Sequence, residues 1–263
     1  MSLRNHAELT QWATRAEQLW LFLDYDGTLA DFAATPDDIA PDPRIIGVLD
    51  RLARKPDLCV TVLSGRRLAH IRQLLPVQGI MLAGTYGIEL LDEQGNMIHR
   101  VNLAEIRPLL KSIKPEWREL IHDRNGFFLE DKDWTLALHA RFAEDEEAAE
   151  VLGKALEIAT IKLPSSVFRI LGGHKFLEVA PNIASKREAV AYLLRQYPGR
   201  QAHLLYIGDD DKDEEAFPLI QQHGGMAVKV LQPSQLAQDT TADYFFHSPG
   251  ETLDWLEEIL DAR

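Results

Sequence analysis

Asp24 and Asp26 flank Tyr25 directly after the apolar run LWLFL at 19–23, and Gly27 follows them. Two carboxylates at this spacing suit two jobs: one attacks as a nucleophile, the other moves a proton or holds a metal. The plain alternative is a solvated turn, because Asp and Gly are frequent turn residues. A second acidic group, Asp209-Asp210-Asp211-Lys212-Asp213, follows HLLYIG at 203–208. Alone, it would be the acidic start of a helix. Beside the first carboxylate pair it would repel strongly, and a hard, oxygen-seeking cation such as Mg2+ explains both groups together. Ser64-Gly65-Arg66 follows CVTVL at 59–63 and is expected to open a helix. There a hydroxyl suits an anionic oxygen, or Ser64 merely caps the backbone. Lys186 precedes a helical pattern at 187–195. Its charge opposes the helix dipole there, which speaks for another task, a solvated surface lysine being the alternative.

Positions 24, 64 and 209 can meet only in a frame that gathers distant strand ends. The runs at 19–23, 59–63, 79–84 and 203–208 have the length and composition of buried strands. Apolar stripes fall between and after them. They are Ile45, Ile46, Leu49, Leu52 and Ala53 within 43–55, and Leu68, Ile71, Leu74 and Leu75 within 66–75. Two more are Ala189, Val190, Leu193 and Leu194 within 186–196, and Leu253, Leu256, Ile259 and Leu260 within 251–261. Strands alternating with helices predict an α/β fold with a Rossmann-like, doubly wound parallel-sheet core. In such a sheet, ligands bind beyond the carboxyl ends of the strands, where all three polar groups fall. The middle of the chain departs from this pattern. Residues 127–142 read as a hairpin turning at Asp131–Asp133, 144–160 as a helix, and 168–181 as a second hairpin turning at Gly172-Gly173. Two hairpins around a helix predict an inserted α+β domain at 103–181, inside a core of 1–102 and 182–263, with Pro108 and Pro181 near the boundaries.

Composition sets limits on function. The chain has 263 residues, 28 Lys plus Arg against 41 Asp plus Glu, and a formal net charge of −13. That excludes a nucleic-acid binder working through bulk positive charge. No stretch approaches the ~20 apolar residues of a membrane helix, so no membrane partner is expected. The single cysteine, Cys59, rules out an internal disulfide and fits a reducing compartment. The first twenty residues mix charge with apolar side chains and show no signal-peptide pattern, which leads to a cytoplasmic expectation.

The order Asp24-Tyr25-Asp26-Gly27-Thr28, Ser64-Gly65-Arg66, Lys186, then Gly208-Asp209-Asp210 with Asp213-Glu214, resembles the haloacid-dehalogenase-like phosphohydrolases. The insert resembles that superfamily's C2-type cap. More narrowly, nearly the whole chain resembles the trehalose-6-phosphate phosphatase family. Leu129–Lys132, Leu138–Arg141 and the stretch 173–181 (GHKFLEVAP) are similar to that family's sugar-binding segments. The chain departs from the family pattern at Tyr86, Arg187 and Lys212, where His, Gly and Thr are usual.

The resemblance implies an Mg2+-dependent phosphatase with a small sugar phosphate as partner, a monomer being favoured. It implies Asp24 as nucleophile, Asp26 as acid/base, and Ser64 and Lys186 as grips on the transferring oxygens. Asp24, the Asp26 carbonyl and Asp209 would hold the metal, with Asp210 and Asp213 supporting from behind. Gly65 and Arg66 fall to substrate binding. In the cap, Glu130, Lys132, His139, Arg141, Lys175 and Glu178 become sugar-binding candidates. Of these, Lys175 and Glu178 face opposite sides of an unbulged strand, and Glu178 is favoured. His139 and Arg141 are expected to share a strand face, and Trp134 is a further candidate for stacking on a sugar. Another glycosyl phosphate, or a sensor that binds without turnover, remain the alternatives.

Overall fold

The computed structural model describes residues 6–32, 39–173, 175–198, 201–231 and 240–263. The chain begins with α1 (His6–Arg15), β1 (Leu19–Asp24), α2 (Pro43–Ala53), β2 (Leu58–Leu63), α3 (Leu68–Leu74), β3 (Met81–Gly84), β4 (Glu89–Leu91) and β5 (Met97–His99). It continues with α4 (Leu103–Leu120), β6 (Phe128–Asp131), β7 (Leu136–His139), α5 (Asp145–Lys162), β8 (Phe168–Gly173) and β9 (Phe176–Pro181). It ends with α6 (Lys186–Gln196), β10 (His203–Gly208), α7 (Asp211–Glu214), α8 (Phe217–Gln222), β11 (Met226–Val230), β12 (Tyr244–Phe246) and α9 (Pro249–Ala262). Two units result, one from residues 1–98 with 185–263, the other from 99–184.

The first unit is built on an eight-stranded sheet in the order β12-β11-β10-β1-β2-β3-β4-β5. All six residues of β1 are buried, as a central strand covered on both faces requires. It runs parallel to β10 on one side and β2 on the other, so the strand order reverses at β1, the switch point of a doubly wound sheet. The four expected strands are all present. The sheet is not purely parallel, because β4 returns antiparallel to β3. Local signals account for the flanking helices: Asp42 caps α2, accepting from the Arg44 and Ile45 N–H groups at 2.7 and 3.4 Å, with Pro43 in its first turn. Registers Asp24↔Leu63 and Leu23↔Ile207 bring the ends of β1, β2 and β10 level. Among the described residues, no helix is long and apolar enough to cross a membrane.

The second unit has a four-stranded antiparallel sheet, β6-β7-β9-β8. Two helices cover it, where the sequence pattern led to one. Ile106, Leu110, Ile113 and Trp117 of α4 pack with Val151, Ala155 and Ala159 of α5 and with Leu136, Leu138, Leu177 and Val179 of the sheet. The second hairpin turns later than expected. Gly172 and Gly173 still pair with Leu177 and Phe176, and Lys175 takes the left-handed φ of 54°. His174, which the sugar-binding stretch includes, lies outside the described residues. Trp134 is buried and its ring lies 5.4 Å from that of His99, so it is packing and not a stacking platform.

Candidate active site

Asp24 is the last residue of β1 and is buried. The chain then folds back at once: the Tyr25 carbonyl accepts from the Leu29 and Ala30 N–H groups at 3.0 and 2.9 Å, and Gly27 N–H donates to the Ala30 carbonyl at 2.7 Å. Gly27 needs to be glycine, with φ at 86° and a site where a Cβ would lie 2.6 Å from the Asp209 carboxyl carbon. The missing side chain therefore lets the loop after β1 approach the loop after β10.

Asp210 caps the short helix α7, accepting from Lys212 N–H at 2.9 Å and Asp213 N–H at 3.1 Å. Asp213 answers with its Oδ2, which accepts from the N–H groups of Asp209 and Asp210, both at 3.2 Å. Its Oδ1 accepts from the buried Tyr206 hydroxyl at 2.7 Å and from Lys186 Nζ at 2.6 Å. Lys186, the first residue of α6, also donates to Asp24 Oδ1 at 2.6 Å. Asp24, Lys186 and Asp213 thus form one buried chain, with Asp209 beside it.

Charge explains the strain in this cluster. Burial raises the Asp24 pKa well above the carboxylate range; Lys186 opposes the rise, and Asp209 and Asp210 add to it. Burial likewise pushes Asp209 up to about 7, helped by Asp213 and Asp210. Burial acts against charge on Lys186, but Asp213, Asp24 and Asp210 together hold its pKa well above the usual lysine value. Asp210 is held low despite its burial, by Lys186 and Lys212. Carboxylate oxygens of Asp24, Asp209 and Asp213 all lie within 4.8 Å of one another. Asp213 already takes four donors, so Asp24 and Asp209 are the acids left to serve a cation. An all-oxygen, anion-crowded pair fits a metal ion of the hard class.

The second motif differs from its expected form. Ser64 does not open a helix: α3 starts at Leu68, whose N–H donates to the buried Glu89 carboxylate at 3.2 Å. Glu89 does the capping from β4, and Ser64 heads a loop instead. That loop is tied down by bonds from Ser64 N–H to the Ala83 carbonyl at 2.8 Å, Tyr86 N–H to the Ser64 carbonyl at 2.9 Å and Thr85 N–H to the Arg66 carbonyl at 2.7 Å. Thr85 and Tyr86 both hold left-handed φ values, 49° and 55°, a conformation that costs about 1–3 kcal/mol at a non-glycine residue and marks sites the fold over-determines. Gly65 lies under the Tyr86 ring, 2.9 Å from where its Cβ would be. Arg66 grips Asp26 with both arms of its guanidinium, Nε to Oδ2 at 2.8 Å and Nη2 to Oδ1 at 2.7 Å. The Asp26 carboxylate is a partner that the sequence did not indicate for Arg66.

The candidates of the second unit form their own cluster. Lys132 Nζ donates to Glu178 Oε1 at 3.1 Å and lies 3.7 Å from Glu130 Oε2. Thr135 Oγ1 also donates to Glu178, and His139 Nε2 lies 3.0 Å from Glu130 Oε2. Burial lowers the Lys132 pKa, yet Glu178 and Glu130 raise it above the usual value. Lys175 is not in this cluster; its Nζ reaches the Ala143 carbonyl at 2.5 Å and Asp145 at 2.7 Å. Arg141 is exposed and lies past the end of β7, so it shares no strand face with His139. The chain leaves the sheet at Ala140, whose N–H bonds the Lys175 carbonyl at 2.8 Å.

Sequence reasoning missed Tyr206. A tyrosine in an apolar run reads as core, and the residue its hydroxyl meets lies across the β10–α7 turn.

The geometry can be set beside known proteins. The family model of trehalose-phosphatase matches residues 22–250. The probable trehalose-phosphate phosphatase of Sinorhizobium fredii is 32% identical over 226 residues, covering 86% of this chain and 80% of that protein. The trehalose-phosphate phosphatase of Mycobacterium tuberculosis is 29% identical over 249 residues, and the match spans 93% of this chain but 62% of the longer mycobacterial protein. Among solved structures, the C-terminal domain of Candida albicans trehalose-6-phosphate phosphatase has the same fold, with a TM-score of 0.85 at 19% identity and 98% coverage of both chains. A haloacid dehalogenase-like hydrolase from Bacteroides thetaiotaomicron also shares the fold, with a TM-score of 0.63 at 17% identity, covering 92% of this chain and 99% of that one.

Proposed function

The chain belongs to the trehalose-phosphatase family, and on that premise we propose that it hydrolyses trehalose 6-phosphate to trehalose and phosphate. One observation carries the assignment of residues: a buried carboxylate, Asp24, held by Lys186 at 2.6 Å through one oxygen only. Lys186 occupies Oδ1, which leaves Oδ2 to attack phosphorus. The new Asp24–phosphorus bond forms as the bond from phosphorus to the sugar oxygen breaks. Asp26 gives a proton to that departing oxygen, and trehalose leaves. Asp26 then takes a proton from water, whose oxygen attacks the phosphoryl group; phosphate leaves and Asp24 is restored. Ser64, Lys186 and the backbone at Gly65 hold the transferring oxygens. Asp213 orients Lys186. Asp24, Asp209 and the Asp26 carbonyl would hold Mg2+, which supplies the positive charge that lets a carboxylate meet a phosphate dianion.

The unit at 99–184 is read as the cap that selects the sugar. Its buried Lys132–Glu178 pair, with Glu130 and His139, offers the donors and acceptors that the hydroxyls of a disaccharide need. We read the enzyme as cytoplasmic, a reading supported by its single cysteine, which fits a reducing compartment.

A panel of sugar phosphates assayed for released phosphate with Mg2+ tests this reading. Turnover is expected for trehalose 6-phosphate above monosaccharide phosphates, and Asp24→Asn is expected to lower it at least ~1000-fold. A panel that prefers monosaccharide phosphates overturns the substrate, and an active Asp24→Asn overturns the nucleophile.

A further inference from the structure

Arg66 was expected on the substrate, yet its guanidinium is spent on Asp26. The two parallel bonds, 2.8 and 2.7 Å, are the fork geometry that fixes a carboxylate in plane as well as in distance. Both partners are shielded, with 11% of the Arg66 side chain and 24% of the Asp26 side chain exposed. Asp26 needs such help. It lies past the end of β1 in a reversing loop, where an aspartate side chain has freedom that catalysis cannot use.

We propose that Arg66 is the positioning residue of Asp26, holding the carboxyl group at the angle from which it serves the leaving oxygen of the phosphate ester. The proposal rests on the phosphatase reading above. Three features of the loop support it. Arg66 N–H donates to Ser64 Oγ at 3.1 Å, and the Arg66 carbonyl accepts from Thr85 N–H at 2.7 Å, so the side chain starts from a fixed backbone. The strained Thr85–Tyr86 pair lies against the same loop. The remaining arm, Nη1, lies 3.4 Å from His70 Nδ1 on α3, a further contact of the guanidinium with the protein. Register completes the arrangement: Asp24↔Leu63 places the loops after β1 and β2 side by side, so a residue three after Leu63 can reach one two after Asp24. The motif Ser64-Gly65-Arg66 then has two tasks on one loop, a hydroxyl for the phosphoryl group and a fork for the acid/base.

The test uses two esters. A sugar phosphate has a poor leaving group and needs a proton; p-nitrophenyl phosphate releases a stable anion and needs none. With the intact protein and Mg2+, Arg66→Met is expected to lower kcat on the sugar ester about 100-fold with KM changed less than about threefold. The pre-steady-state burst of p-nitrophenolate should fall at least about tenfold less. Arg66→Lys keeps the charge but not the fork and should recover only part of the loss. In an Asp26→Asn background, Arg66→Met should add little further loss, because the two residues act as one unit. A rise in KM with kcat retained on both esters would show that Arg66 grips phosphate, and equal burst losses or additive effects would show structural damage; either sinks the proposal. Failure of the function reading is seen separately, as wild-type protein that leaves trehalose 6-phosphate intact. The Asp26–Arg66 cycle is then decided on p-nitrophenyl phosphate turnover, whose second step still uses Asp26.

Discussion

A carboxylate in an active site need not touch metal or substrate to matter, and Asp213 shows how. Four donors surround it: Lys186, the Tyr206 hydroxyl and the N–H groups of Asp209 and Asp210. Saturated in this way, it fixes Lys186 against Asp24 and ties the turn after β10 to the start of α7. Tyr206→Phe removes one of these donors and leaves the ring packed. The expected cost is about 1–2 kcal/mol, since the lost bond goes to a charged acceptor whose other bonds remain. Stability by denaturant titration and kcat should both fall modestly, with KM unchanged. A KM effect equal to the kcat effect would mean that Tyr206 reaches substrate instead. The same residues show what could be read from sequence. Asp24, Asp26, Ser64 and Asp209 stood out because they gather at the ends of apolar runs, on one edge of the expected sheet, and Lys186 because its charge opposes the dipole of the helix it opens. Tyr206 and the Asp26 partner of Arg66 did not, because the first pairing is made by the turn between β10 and α7 and the second by the register of β1 with β2, and neither shows in the residue pattern of its own run.

At the scale of elements, legibility followed the strength of local signals. Helix α2 has Asp42, Pro43 and a clear stripe, and it forms where expected. Helix α4 was hidden by Pro108 and Pro115, which argue against a helix interior. It forms because Ile106, Leu110, Ile113 and Trp117 bury one stripe, while Ala104, Pro108, Lys111 and Pro115 line the exposed face. There the carbonyls that lose a partner can turn to water. Strands β11 and β12 were missed for another reason: short runs, one of them broken by Lys229, carry no clear period, and pairing of β11 to β10 and of β12 to β11 decides them. One ion cluster holds α4 to its sheet. Arg107 and Lys114 both grip Asp131 of β6, with Arg107 Nη2 to Asp131 Oδ2 at 2.8 Å. Burial alone would raise the Asp131 pKa, but these two cations hold it well below the usual carboxylate value. A depressed folded pKa contributes stability above the unfolded value of about 3.9 and loses it as pH falls through the folded value. Asp131→Asn should therefore destabilise the second unit by about 2 kcal/mol at pH 7, and the gap from wild type should narrow below about pH 4. Denaturant curves at pH 7 and pH 3 check this; a gap that widens in acid would assign the stabilisation elsewhere.

The whole molecule carries a net charge of −13, an unpromising field for an anionic substrate. Only a few of those acids would bear on the chemistry, and a cation held at Asp24 and Asp209, together with Lys186, would reverse the sign locally. Asp24 and Asp209 are buried together, both pushed up in pKa chiefly by burial, with Lys186 as their nearby cation. The metal-free protein therefore bears an electrostatic cost at its own centre. A divalent cation that binds only the folded state relieves that cost and adds linkage energy, about 2.7 kcal/mol at a concentration of ~100 Kd. For a protein of this size, the transition involving the first unit should move up by about 5–10 °C with Mg2+ and return with chelator. Inorganic phosphate should bind only when Mg2+ is present, because little else offsets the acidic field. Asp209→Asn separates this account from nonspecific salt effects. The variant removes one buried like charge, so its metal-free melting temperature should exceed that of the wild type. It also removes a metal-holding oxygen, so the Mg2+ shift should disappear. A variant that melts lower without metal, or still gains the full shift with it, would place the cation elsewhere and leave the acidic pair without its proposed purpose.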